Sequence, residues 1–196
     1  KPIHEYLRIR AKESPDKTAI IFYGREISYR ELDEASDRFA NYLKQVGVKK
    51  GHRVAIFMAN CPQYVIAHFG TQKLGAIVCP CSPLFKEMEL TYELNDTETE
   101  VLVTWDILMP VAGKAIVNSN VKKVIATNLN DYLPAQPTLP LTDAMKIPKQ
   151  TIPGTIDFME IVTQGDKTPP HIDIDLEKDI SLFQYTGGTT GLPKGS

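Results

Sequence analysis

Short, continuous runs of apolar residues alternate with amphipathic stretches from about residue 50 to residue 127. The runs predict buried strands at residues 54–58, 76–79, 101–104 and 123–127. The stretches between them predict helices at residues 60–74, 87–94 and 107–118. Strands that are apolar along their whole length are typical of a parallel sheet covered on both faces. The pattern therefore predicts an α/β fold with a mainly parallel sheet flanked by helices.

The segment before this alternation predicts a helix at residues 3–12 and a hairpin at residues 18–28. A longer helix follows, and its start matches a capping box formed by Ser28 and Glu31. Asn60 is expected to cap the next helix, because its side chain can accept a hydrogen bond from a free amide of the first turn.

The segment after the alternation has a different character. Residues 128–154 are rich in proline and predict a surface excursion, which is followed by a short helix at residues 157–162. A last strand at residues 179–185 would lead into a turn rich in glycine and threonine. Sheets of the predicted kind bind ligands beyond the carboxyl ends of their strands.

Composition and charge restrict the classes of function. The chain is 42% hydrophobic and 23% charged, which is typical of a soluble globular protein. Its net charge of −2 gives no indication of a nucleic-acid partner. The apolar runs are far shorter than the roughly 18 residues of a membrane-spanning helix. The N-terminus has neither a starting Met nor the apolar core of an export signal, so we expect a cytoplasmic protein.

The three cysteines, Cys61, Cys79 and Cys81, form no regular disulfide framework and suit a reducing compartment. Cys79 and Cys81 are two residues apart, which is a spacing compatible with a metal pair. A structural zinc site needs about four ligands, and the histidines show no ligand spacing. Burial as small apolar side chains is therefore the favoured interpretation.

Two other features have a structural and a functional interpretation. His68 lies on an apolar helix and is expected to be a hydrogen-bonded core residue rather than a base. Residues 80–85 follow the end of a predicted strand, where a ligand contact could form, but their apolar side chains favour the core.

The segment at residues 185–195, YTGGTTGLPKG, carries the most specific chemistry. Its glycines leave backbone amides unshielded, and successive amides form a concave anion site that suits a phosphate chain. Threonine hydroxyls and a lysine add donors and positive charge. The segment is not a Walker A loop, because Pro193 occupies the second glycine position counted from Gly188. The alternative is a plain glycine-rich turn, which so many phosphate-binding side chains disfavour.

This segment resembles the phosphate-binding signature of the adenylate-forming superfamily, which includes acyl-CoA synthetases, luciferases and peptide-synthetase adenylation domains. Gly187 stands where serine is commoner, a variant that resembles long-chain fatty-acyl-CoA ligases. The likeness extends over almost the whole chain, and its other landmarks are residues 28–33, 47–51, 53–58, 75–78, 83–85, 89–90 and 94–96. It implies that residues 1–196 are the N-terminal part of the large AMP-binding domain, without the mobile C-terminal domain.

The resemblance also implies a reaction. A carboxylic acid, of which a medium- or long-chain fatty acid is favoured, reacts with ATP to give an acyl-adenylate and pyrophosphate, and the CoA thiol then displaces AMP. ATP, Mg²⁺ and CoA are the implied cofactor and co-substrates, and the partners are small molecules. The implied phosphate contacts are Thr186, Gly187, Gly188, Thr189, Thr190, Gly191 and Lys194. The family's catalytic lysine and its adenine, ribose and metal contacts have no counterpart before Ser196.

Alternatives remain at this point. The enzyme could adenylate an aryl or amino acid, or the chain could be a non-catalytic module that keeps the nucleotide loop. Peripheral membrane contact and a homo-oligomer are also open. The isolated segment is predicted to be inactive.

Overall fold

A five-stranded parallel sheet forms the centre of the computed structural model, which describes residues 1–186 and 194–195. The helices are α1 (Ile3–Glu13), α2 (Tyr29–Gln45), α3 (Pro62–Lys73), α4 (Glu87–Asp96), α5 (Met109–Val117) and α6 (Phe158–Gln164). The strands are β1 (Thr18–Phe22), β2 (Arg25–Ser28), β3 (Arg53–Phe57), β4 (Ile77–Cys81), β5 (Val101–Trp105), β6 (Lys123–Thr127), β7 (Ile156–Asp157), β8 (Tyr185–Thr186) and β9 (Lys194–Gly195). Short 3₁₀ helices lie at Asp106–Leu108, Leu129–Tyr132 and Asp143–Lys146.

The strand order of the central sheet is β4-β3-β5-β6-β7, and each neighbouring pair is parallel. The chain goes from β3 to β4 on one side and then crosses back to β5 on the other side of β3. Reversals of this kind open a crevice at the carboxyl ends of the strands. The predicted α/β class, with a mainly parallel sheet flanked by helices, is confirmed.

Each face of the sheet is covered by a separate apolar core. One core joins α2, α3 and α6 to the sheet and includes Phe39, Ile56 and Phe158, whose side chains are fully buried. The other includes Leu90 of α4 and Leu102 of β5, also fully buried. Burial of an apolar side chain of this size stabilises the folded state by about 1.5–3 kcal/mol, so the two cores hold the sheet between layers of helices.

The start of α2 matches its prediction, and the start of α3 does not. The amide of Glu31 donates to Oγ of Ser28 at 3.2 Å, and the amide of Ser28 donates to Oε2 of Glu31 at 2.7 Å. This reciprocal pair is the predicted capping box. In α3, Cys61 rather than Asn60 occupies the capping position, and its side chain makes no capping hydrogen bond. Pro62 begins that helix, because proline has no amide hydrogen to satisfy there.

The predicted strand at residues 179–185 is mostly wrong. Within residues 179–184 a single bridge forms: the amide of Val78 donates to the carbonyl of Ser181 at 3.1 Å, and that of Phe183 donates to the carbonyl of Val78 at 2.9 Å. Tyr185 alone of the predicted residues lies in a strand, β8. The next rung would need an amide hydrogen from Pro80, which has none, so the ladder stops. β7, only two residues long, was not predicted.

The excursion at residues 128–154 is more closely attached than predicted. It contains two of the 3₁₀ helices, and Leu129, Tyr132 and Met145 are buried in the first core. The predicted helix at 107–118 is divided into a 3₁₀ turn and α5, which carries a proline in its first turn, where proline is tolerated.

Candidate functional site

A short antiparallel hairpin brings the two ends of the glycine- and threonine-rich segment together. Thr186 of β8 pairs with Lys194 of β9, and Tyr185 pairs with Gly195. The other implied phosphate contacts, which are Gly187, Gly188, Thr189, Thr190 and Gly191, lie outside the described residues. Seven residues separate β8 from β9 along the chain, and the residues that flank them, Thr186 and Lys194, are both implied phosphate contacts.

The hairpin follows directly from the edge of the central sheet. Leu182 runs parallel to β4 and bridges to Val78. Since the chain continues in the direction of β4, Tyr185 lies toward the carboxyl end of that strand. The described start of the phosphate segment is thus on the side of the sheet where parallel α/β sheets bind ligands.

Helix α4 contacts the first residue of the hairpin, Tyr185. The hydroxyl of Tyr185 donates a hydrogen bond to Oδ2 of Asp96, the last residue of α4. The ring of Tyr185 packs edge-on against that of Tyr92, with centroids 6.4 Å apart and planes at 86°. Burial, together with the acidic partner, raises the pKa of Tyr185 well above its ordinary value, so the phenol stays protonated as the donor.

A buried carboxyl group lies near this contact. Glu93 of α4 is only 2% exposed, and neither of its carboxylate oxygens has a hydrogen-bond partner of adequate geometry among the described residues. Burial, with the charge of Asp96 adding to it, raises the pKa of Glu93 to about 7. No local pattern indicates that this group is buried, because a glutamate in an amphipathic helix is normally exposed.

The cysteines are buried, as predicted. Cys79 and Cys81 of β4 both pack in the second core, and Cys61 packs in the first. Burial raises the pKa of the Cys61 thiol to about 11 and that of Cys79 to about 12, so neither is a thiolate at neutral pH. Within the described ranges, no three His, Cys, Asp or Glu side chains are grouped closely enough to hold a metal ion.

A second polar cluster, which sequence reasoning missed, follows β5 and β6. Asn128 donates to both carboxylate oxygens of Asp106, at 3.1 and 2.9 Å, and the amide of Gln150 donates to Asp106 at 2.7 Å. Lys149 bridges Asp131 and Asp157 at 3.1 and 2.7 Å. The adjoining cavity has only about 60 Å³. These paired groups attach the excursion to the sheet and leave no space for a nucleotide.

Residues 80–85 and His68 are each only partly buried. Phe85 packs against the second core, whereas Leu84 is 83% exposed, so residues 80–85 are only partly core. His68 is half-buried, and its Nδ1 has no hydrogen-bond partner in the part of the chain that the structure describes. The expectation of a hydrogen-bonded histidine is therefore wrong for this nitrogen. Burial lowers the pKa of His68, which favours the neutral ring.

The fold defines an α/β domain with a parallel sheet whose glycine- and threonine-rich segment begins beside the carboxyl end of β4. Comparison with known proteins defines it further: a family model described as "AMP-binding enzyme" matches residues 7–196. The chain belongs to the AMP-binding enzyme family.

One curated relative is the long-chain-fatty-acid–CoA ligase of Bacillus subtilis (strain 168). It is 38% identical over an alignment 207 residues long, which covers 100% of this chain and 36% of the relative. The chain thus spans about a third of the length of that enzyme.

Solved structures share the fold. The anthranilate CoA ligase AuaEII in complex with anthranoyl-AMP matches with a TM-score of 0.83 and 23% identity, covering 100% of this chain and 34% of that one. A long-chain-fatty-acid-CoA ligase (FadD1) from Archaeoglobus fulgidus matches with a TM-score of 0.78 and 22% identity, covering 100% and 36%. Among the described residues, no helix combines the length and apolar character needed to cross a membrane.

Proposed function

We propose that this chain is the N-terminal part of an ATP-dependent ligase that activates a medium- or long-chain fatty acid as its acyl-adenylate and transfers it to CoA. The pairing of Thr186 with Lys194 carries the proposal, because it brings two implied phosphate contacts from the two ends of the segment side by side. The 38% identical relative named as a long-chain-fatty-acid–CoA ligase supports the acid class. The buried, unpaired cysteines suit a reducing compartment, so we assign the enzyme to the cytoplasm.

The loop's task in this proposal is to hold the β- and γ-phosphates of ATP while the acid's carboxylate attacks the α-phosphorus. Backbone amides between Thr186 and Lys194 donate to phosphate oxygens, and the Lys194 ammonium neutralises charge on the departing pyrophosphate. Attack forms the carboxylate–phosphorus bond and breaks the bond to pyrophosphate. The thiol of CoA then gives up its proton to solvent and forms a carbon–sulfur bond to the acyl carbon, and AMP departs with the electron pair of the carbon–oxygen bond.

The donor set fits ATP better than a metal bound by the protein. Lysine, threonine hydroxyls and glycine amides are phosphate ligands, whereas Mg²⁺ prefers carboxylate oxygens and water. Because the described residues contain no metal-binding group of three acidic or imidazole side chains, Mg²⁺ would be held here chiefly by phosphate oxygens. When bound, it would supply charge neutralisation on the phosphates.

The test is pyrophosphate release by the full-length protein that contains this chain, with ATP, Mg²⁺ and a panel of acids. Saturated fatty acids of increasing chain length, benzoate derivatives and amino acids are compared at equal concentration. We expect release to depend on the medium or long fatty acids, and addition of CoA to yield their thioesters. Release with the aromatic or amino acids alone would show that the enzyme activates another class of acid. ATP binding without pyrophosphate release for any acid would indicate a non-catalytic module.

A further inference from the structure

We infer that Tyr185 is a positioning residue: through its hydrogen bond to Asp96 and its packing on Tyr92, it fixes the phosphate-binding hairpin to helix α4. This inference rests on the proposed function, since it assigns the group that sets where the phosphate loop lies. Neither Tyr185 nor Asp96 is among the phosphate contacts implied by the sequence.

The hairpin needs an external anchor. β8 and β9 contain two residues each, and a pair of strands this short is marginal by itself in water. The bridge between Val78 and Leu182 ends before the hairpin begins, because Pro80 offers no amide hydrogen. Within the described residues, the side chain of Tyr185 provides the anchor between the hairpin and α4.

Helix α4 is a rigid support for that anchor. Leu90 and Leu94 are fully buried in the second core, which fixes the helix against the sheet. Asp96 ends the helix, where a carboxylate interacts unfavourably with the helix dipole. Asp96 is exposed, and the phenol of Tyr185 gives its carboxylate a charge-assisted hydrogen bond.

Gly195 has a specific function in this arrangement. A Cβ atom at residue 195 would lie 3.0 Å from Cζ of Tyr185 and 3.2 Å from its hydroxyl oxygen. A methyl group at this position would therefore press on the tyrosine ring, which would have to move by a few tenths of an ångström. The glycine that follows Lys194 is thus explained by the tyrosine at the other end of the motif, independently of any phosphate contact.

The consequence for catalysis follows from geometry. In phosphoryl transfer, misplacing a binding group by about 1 Å can reduce the rate by about a hundredfold. Because Thr186 is adjacent to Tyr185 in β8 and pairs with Lys194, movement of the tyrosine would move both implied phosphate contacts. The anchor therefore controls nucleotide affinity without touching the nucleotide.

The experiment compares Tyr185→Phe, Asp96→Ala and the double variant in the full-length protein. Tyr92→Phe is the matched control, because it removes a phenol hydroxyl from the same cluster and keeps the ring contact. We expect each single variant to raise KM for ATP about tenfold, the scale of losing one charge-assisted hydrogen bond. The double variant should be no worse than the single ones, because one bond is lost in all three. KM for the acid, the melting temperature and the Tyr92→Phe control should stay close to wild type.

Hydrogen exchange supplies a readout that does not depend on activity. Amides of β8 and β9 that are protected in the wild type should exchange faster in Tyr185→Phe, while those of β3 and β5 stay unchanged. Gly195→Ala should give the same result, since its methyl group displaces the ring.

The outcomes separate this inference from the proposed function. Unchanged KM for ATP and unchanged exchange in Tyr185→Phe, or additive losses in the double variant, would overturn the anchor even if the wild type is a fatty-acid ligase. If Tyr185→Phe exchanges faster but the wild-type protein releases no pyrophosphate with any acid, the anchor is supported and the proposed function is refuted.

Discussion

The ammonium group of Lys73 lies in the protein interior, 2.8 Å from Oδ1 of Asp37, with none of its side chain exposed. It also contacts Oδ1 of Asp33 at 2.5 Å. These three side chains join α3 to α2, and Arg8 of α1 reaches the same Asp37 at 3.4 Å. The helical layer on one face of the sheet is therefore connected by a buried charge network as well as by apolar packing.

Replacing the buried lysine should destabilise the fold strongly. Lys73→Met keeps the length of the side chain but leaves Asp33 and Asp37 without their buried cation. Removing one partner of a buried pair costs about 3–5 kcal/mol. Urea denaturation should show this loss, and Lys122→Met, which removes an ion-pairing lysine that is 67% exposed, should change stability by less than about 1 kcal/mol. Equal effects of the two substitutions would contradict a special role for the buried network.

The buried carboxyl group of Glu93 predicts a pH dependence of stability. Its pKa is raised from an ordinary 4.5 to about 7, so the folded protein holds this proton more tightly than the unfolded chain. The resulting contribution to stability is fully present below pH 4.5 and is lost as the pH rises to about 7. Glu93→Gln cannot ionise and should be more stable than wild type at pH 8, by about 1–3 kcal/mol.

Comparing wild type with Glu93→Gln at two pH values tests the predicted direction of the pH dependence. Denaturation at pH 5 and pH 8 should give a larger stability difference at pH 8. A difference that is constant between these values, or larger at pH 5, would show that the carboxyl group titrates normally. Glu98→Gln, at a residue whose side chain is 73% exposed, is the control for substitution of a surface glutamate.

The alternation of apolar runs and amphipathic stretches predicted four of the five strands of the central sheet, β3 to β6. The predicted strand at 123–127 has the bounds of β6. The capping box could be predicted because Glu31 follows Ser28 by three positions. Such features depend on neighbours within a few positions of the chain. β7 was missed because two residues cannot show a period, and its pairing with β6 is decided by contacts distant in sequence.

The site was predictable only in part, for the same reason. The phosphate segment is contiguous, so its composition was enough to predict a phosphate site, which stays a prediction. The contact of Tyr185 with Asp96 joins residues 89 positions apart, and no local pattern indicates it. The loss of the strand at 179–185 depends on Pro80 of a neighbouring strand, which likewise becomes informative only when the pairing is known.

The lysine of the phosphate segment gives a direct functional prediction. If Lys194 neutralises phosphate charge, Lys194→Ala should raise the barrier to adenylate formation by about 1–3 kcal/mol, the scale of a lost charge-assisted contact. Steady-state pyrophosphate release by the full-length protein measures this change, with Lys178→Ala as the control at a lysine that is 82% exposed. Unchanged kinetics for both ATP and acid would show that Lys194 does not neutralise phosphate charge.

Residues 1–196 alone should not form acyl-CoA. They cover 36% of the Bacillus subtilis relative, and adenylation also needs the base held and the acid aimed at the α-phosphorus. A coupled assay for pyrophosphate with ATP, Mg²⁺, CoA and fatty acids should therefore give no turnover by the purified segment. Turnover above that of the same segment carrying Gly188→Val would mean that far less of the enzyme is required.

The most direct test of a phosphate site at residues 186–194 is fatty-acid-dependent pyrophosphate release by the full-length protein carrying Gly188→Val. A branched side chain at this glycine would shield the backbone amides that phosphate must approach. Gly113→Val is the matched control, because a Cβ atom at this position of α5 has no neighbour within 4 Å. We predict that Gly188→Val loses nearly all pyrophosphate release with an unchanged melting temperature, while Gly113→Val keeps the wild-type rate. A wild-type rate in Gly188→Val would contradict the phosphate site.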